Sequence, residues 1–137
     1  MLIPREMIDM DEVIASYTRA QATQDGVLID VSKMAKEAGF VIPVAVTTAV
    51  WNEYIVPSDK LREYGQSEDG RLWDMLYMLY IRIKRGGAST SRLRFEVGFM
   101  MDTKLRGPAQ RIIVFLSVCH AGDAMEPVIT IMLPNED

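Results

Sequence analysis

RLRFEVGF, residues 92–99, puts Leu93, Phe95, Val97 and Phe99 on one side of an extended chain and Arg92, Arg94, Glu96 and Gly98 on the other. A period of two is the pattern of a half-buried strand, one face in a core and one in water. Two more apolar, β-branched runs follow at 112–118 and 128–133, joined by the turn-rich HAGDAMEP of residues 120–127. The C-terminal part therefore reads as an antiparallel meander.

Upstream the periodicity turns helical. Residues 68–84 carry Leu72, Trp73, Met75, Leu76, Met78, Leu79, Tyr80, Ile81 and Ile83, which cover almost the whole circumference of a helix. Such a helix is central in its fold or lies at a subunit interface, and a small sheet cannot cover all of it. A homo-oligomer, a dimer in the simplest case, is therefore expected. Thr18 and Gln21 have capping-box spacing for a helix ending near Asp25 and Gly26, and residues 27–29 read as a short buried run. Asp30 is placed to cap a helix through Ala38, which Gly39 ends. Residues 40–46, with Pro43 inside, read as an edge strand or an extended connection. Thr47 or Thr48 starts a helix to about Ile55, stopped by Pro57, and residues 58–70 read as a polar loop. Residues 1–16 read as a loose arm and RGGAST, residues 85–90, as a flexible turn. Helices first and hairpins last make one α+β domain over 17–137, N-terminal helices packed on a C-terminal antiparallel meander of about three to four strands.

With 137 residues, 49% of them hydrophobic and 25% charged, the chain suits one folded core. It has no apolar run near the roughly 20 residues that span a bilayer and no basic-then-apolar leader, so no membrane role is expected. A lone Cys119 excludes an internal disulfide and suits the cytoplasm. The net charge of −4 conceals a pattern. Residues 1–70 hold 6 Lys/Arg against 12 Asp/Glu, residues 71–111 hold 9 against 3, and residues 112–137 hold 0 against 4. A basic middle lies between acidic ends.

Catalytic chemistry is poorly supplied. Cys119 and His120 are neighbours that point to opposite faces of a strand, and no second Cys or His completes a zinc site or a nucleophile pair. No catalytic residue, metal or cofactor is assigned, and no phosphate-loop, dinucleotide, nucleophile-elbow or zincin motif occurs. Asp123 and Glu126 are the residues of a turn first and hard-cation ligands second; a metal-dependent hydrolase using Asp74, Asp123 or Glu126 is one alternative class. A polar set of Arg19, Asp25, Arg71 and Asp74 lies on or beside apolar helices, where Asp74 needs a cationic partner such as Arg71 or Arg19; a structural ion pair is the first reading and a ligand clamp the second. The anion-site candidates are Arg85, Arg92, Arg94, Lys104, Arg106 and Arg111. Alternation puts Arg92 and Arg94 on one solvent face, and the others lie in the flanking turns. A nucleotide, a cyclic nucleotide or a nucleic-acid backbone is the guest such guanidinium groups suit, while a host protein docking on the acidic residues 1–70 is the competing partner. Residues 31–56 mimic a helix-turn-helix, with Ala35 and Gly39 four apart. FVIPVAV, however, fills the place of the turn and no Lys or Arg follows on the second helix, so sequence-specific DNA reading is not expected.

YTRAQATQDGVLIDVS (17–32), AGFVIPVAVTTAVW (38–51), GRLWDML (70–76) and GDAMEPVITIMLPNED (122–137) together resemble a family of small uncharacterised proteins carried on bacterial plasmids, phages and integrated elements. The resemblance covers 17–137 apart from residues 58–67. It implies an accessory protein of a mobile element, a setting in which antagonism of host defence is common, and it supplies no activity.

Overall fold

The computed structural model describes residues 18–87, 90–103 and 106–136. The helices are α1 Arg19–Gln24, α2 Ser32–Ala38, α3 Thr48–Val50 continuing as a wide π-type turn Trp51–Ile55, α4 Asp59–Glu63 and α5 Glu68–Arg82. The strands are β1 Leu28–Asp30, β2 Val44–Thr47, β3 Arg92–Met101, β4 Ala109–Ala121 and β5 Pro127–Met132. They form one five-stranded sheet in the order β1-β2-β5-β4-β3. The fold is α+β, but the sheet is mixed and larger than an antiparallel meander. β3, β4 and β5 pair antiparallel as the alternation implied, and β2 then adds to β5 in parallel, carrying β1 at its far edge.

Pro43 accounts for the difference. Residues 40–46 are not an edge: the strand begins one residue after Pro43, and Val44, Ala45 and Val46 are buried between β1 and β5. A proline just before a strand withholds no ladder donor, and the Pro43 carbonyl accepts from Ile129 N at 2.9 Å. The 27–29 run is instead the short outer edge, with Val27 exposed. Residues 58–70 are not all loop, because Ser58 accepts from Leu61 N and caps α4. β2 also separates α2 from α3, so residues 31–56 run helix, strand, helix.

Local chemistry sets the other boundaries. Thr18 and Gln21 form the reciprocal capping box, and Gly39 ends α2 with φ of 115°. Asp30 is not the helix cap, a position that Val31 holds; its carboxylate accepts from Ser32 N and Ser32 Oγ, at the first residue of α2. α5 buries one face, Leu72, Met75, Leu76 and Leu79, against Leu93, Phe95, Val97 and Phe99 of β3 and Phe115 of β4. Trp73, Tyr77 and Met78 stay exposed, so α5 is apolar all round in sequence and covered on one side only in this chain. Ile129 and Ile131 belong to the core under α5, while Thr130 faces the other side of the sheet, where α1 lies.

Candidate anion-binding site

β3 is an edge strand, and α5 runs beside it before the chain turns back at Gly86, whose φ of 118° makes the reversal. Between the end of α5 and the edge of β3 lies a concavity of about 500 Å³ lined by Met78, Ile81, Arg82, Arg85, Arg94, Phe95, Glu96 and Val114. Two of the six candidate cations, Arg85 and Arg94, meet here. Arg82 joins them from one turn earlier on the helix. Residues three apart share a helix face, which is the signal that places Arg82 with Arg85; the apolar pattern of 68–84 conceals it.

The other candidates do not converge on this concavity. Arg92 is exposed two residues before Arg94, with Thr90 Oγ1 accepting from its N–H and donating to its carbonyl. Arg111 pairs with Phe99 in the β3–β4 ladder, five residues along the strand from Arg94, or roughly 17 Å away at strand rise. Arg106 is exposed in the connection beyond it. Lys104 and the N-terminal arm lie outside the described residues. The basic zone therefore forms two groups at opposite ends of the hairpin.

Among the described residues, the ion pair within 4.0 Å is Arg62–Glu68, at 3.1 Å. Arg82, Arg85 and Arg94 thus keep their guanidinium donors for solvent or a ligand. Arg82, Arg85 and Arg94, with one carboxylate, Glu96, line the concavity together with an apolar wall.

The polar set takes structural places. Arg71 is 2% exposed and turns inward: Nε donates to Tyr54 O at 2.6 Å, Nη1 to Met100 O at 2.8 Å and to Gln66 Oε1 at 3.1 Å, and the guanidinium stacks 4.5 Å over the Phe99 ring. It makes no ion pair with Asp74 among the described residues, which corrects the expectation for that pair; the carbonyl oxygens that the turn after α3 and the end of β3 turn toward it are what a five-donor side chain satisfies. Burial lowers the Arg71 pKa, with Asp74 and Asp102 opposing. Desolvation raises the Asp74 pKa and Arg71 draws it back. Arg19 is likewise committed, Nη1 donating to Thr130 Oγ1 and Nη2 to Ile129 O, both at 2.7 Å. Burial lowers its pKa too, against Asp30, Asp123 and Glu126. Asp25 is the C-cap of α1.

Asp123 and Glu126 build the β4–β5 turn and its neighbour. Asp123 accepts from Arg19 N and Ala20 N, and Glu126 Oε2 accepts from Ala124 N at 2.9 Å. Asp74 belongs to neither group. Among the described residues, no three of His, Cys, Asp and Glu gather as metal ligands. Cys119 packs against the core and His120 Nε2 lies 2.8 Å from Thr130 Oγ1. No helix of the described residues is long and apolar enough to cross a membrane.

A search of curated proteins and a search of solved structures each return no match. A family model described as a family of unknown function, DUF6573, matches residues 5–137, and the chain belongs to that family.

Proposed function

We propose that this is a binding or regulatory protein that receives a phosphate-bearing ligand, a nucleotide or a cyclic nucleotide, in the cleft between α5 and β3. The observation that carries this reading is the meeting of Arg82, Arg85 and Arg94, none in an ion pair among the described residues, around one concavity. Guanidinium groups take phosphate oxygens through paired donors, and Met78, Ile81, Phe95 and Val114 offer an apolar wall for the organic part of the ligand. A volume of about 500 Å³ falls in the range of small-molecule sites. By contrast, the concavity of about 550 Å³ beside Arg19, Asp30 and Asp123 has its guanidinium already held by Thr130 and Ile129.

Resemblance to proteins of mobile elements suits an accessory role, and capture of a nucleotide signal is one way to antagonise host defence. The test is a thermal-shift screen against mono-, di- and cyclic nucleotides, with chloride and sulfate as controls. A rise in melting temperature with a phosphate ligand, absent from an Arg85→Ala/Arg94→Ala variant, supports the reading. No shift with any phosphate ligand overturns it and leaves a protein partner as the next reading.

A further inference from the structure

Hydrogen-bond parity along β3 identifies the main-chain groups that face outward. In an antiparallel ladder the N–H and C=O of one residue point the same way, and successive residues alternate. Ser91 O accepts from Cys119 N on β4, whereas Met100 O accepts from Arg71. Odd-numbered residues therefore bond to β4, and Arg92, Arg94, Glu96, Gly98 and Met100 turn their main chain to the free edge. Thr90 caps Arg92 and Arg71 takes the Met100 carbonyl. The groups of Arg94, Glu96 and Gly98 have no partner among the described residues. Over its 10 residues the edge carries no proline, and its charges, Arg92, Arg94 and Glu96, are of both signs, so they can match a partner strand as well as repel one.

The exposed side chains select the partner. We propose that β3 pairs antiparallel with β3 of a second copy about a two-fold axis beside Phe95, joining the two sheets into one. This register sets Arg94 opposite Glu96 of the second copy and Glu96 opposite its Arg94, so two ion pairs form on one face. Parity allows the register, because every bonded pair joins outward-facing residues. Moving the axis to Arg94 or to Glu96 puts like charges opposite each other, which is destabilising. On the other face the axis brings each α5 toward its copy, with Met78 and Ile81 at the cleft between α5 and β3 positioned to be covered. The isologous arrangement closes at two subunits. It accounts for the exposed Met78 of α5 without a foreign partner.

The pairing engages Arg94 and covers part of the cleft that the anion reading uses, so a bound phosphate and the second copy compete there, and the experiment separates the two. Sedimentation velocity in phosphate-free buffer should give a mass near twice 15.5 kDa for the wild type. Glu96→Arg and Arg94→Glu each place like charges across the axis and should give the monomer mass with an unchanged circular dichroism spectrum. The double variant Arg94→Glu/Glu96→Arg exchanges the charges and should restore the dimer. Arg85→Ala, which weakens the anion cleft, should leave the dimer intact. A monomeric wild type, single variants that remain dimeric, or a double variant that stays monomeric overturns the proposal.

Discussion

The Asp123 carboxylate accepts the main-chain N–H of Arg19 at 2.7 Å, and that of Ala20 at 3.0 Å, so the first turn of α1 is closed by a residue 104 positions away. Thr18 caps the same end from within, and the two devices together satisfy three of the donors that a helix start leaves open. Asp123→Ala removes the cross-sheet cap and should cost about 1–2 kcal/mol in urea denaturation. Asp123→Asn, which keeps one acceptor, should lose less. Equal losses for the two variants would mean that the contact is incidental to stability.

Arg71 holds α5, the π-type turn after α3 and the end of β3 in one network. Arg71→Ala leaves the Tyr54 and Met100 carbonyls buried without donors and should cost about 3 kcal/mol or more. Arg71→Lys retains the charge without the planar fork, so it should recover less than half of that loss in the same denaturation assay.

Gly39 combines two demands that glycine meets. Its φ is 115°, and a Cβ there would meet the Tyr80 ring at 2.7 Å, whereas Gly26 has φ of 77° and open space around it. Gly26→Ala should therefore cost about 1 kcal/mol for backbone strain alone. Gly39→Ala should cost more, and Gly39→Ala/Tyr80→Ala should remove part of the difference in a double-mutant cycle.

Asp74 gives a pH dependence of defined sign. Desolvation raises its pKa in the folded state, with Arg71 opposing, so the folded chain binds the proton more tightly than the unfolded one. That contribution to stability is fully present below the unfolded-state pKa and is lost as pH rises through the folded-state pKa. Asp74→Asn should match the wild type in acid and be slightly more stable at neutral pH, the exposed position keeping the gain small. Thermal melts across the acid range check the direction.

Local signals were legible where one short stretch decides the outcome. The capping box at Thr18 and Gln21, the left-handed Gly39 and the alternation through Leu93, Phe95, Val97 and Phe99 each depend on residues within one turn or one strand. The place of β2 does not, because its parallel pairing with β5 joins residues such as Val44 and Ile129 that are far apart in sequence, and Pro43 reads the same before a central strand as within an edge. The anion candidates failed in part for the same reason. Arg85 and Arg94 meet across a chain reversal that the glycines announce, but Arg111 lies at the far end of the hairpin because the length of β3 carries it there. Arg71, expected to partner Asp74, answers the Tyr54 carbonyl of the turn after α3 and the Met100 carbonyl of β3, and nothing near it in sequence indicates either.

Isothermal titration with ATP and inorganic pyrophosphate, comparing the wild type, Arg85→Ala, Arg94→Ala and an Arg106→Ala/Arg111→Ala control, tests the central claim that the cleft between α5 and β3 is the anion site. The wild type and the control should bind alike, and each cleft variant should lose about tenfold or more in affinity, the worth of one charge-assisted bond pair. Absence of binding to the wild type, or an equal loss in the Arg106→Ala/Arg111→Ala control, would contradict the account.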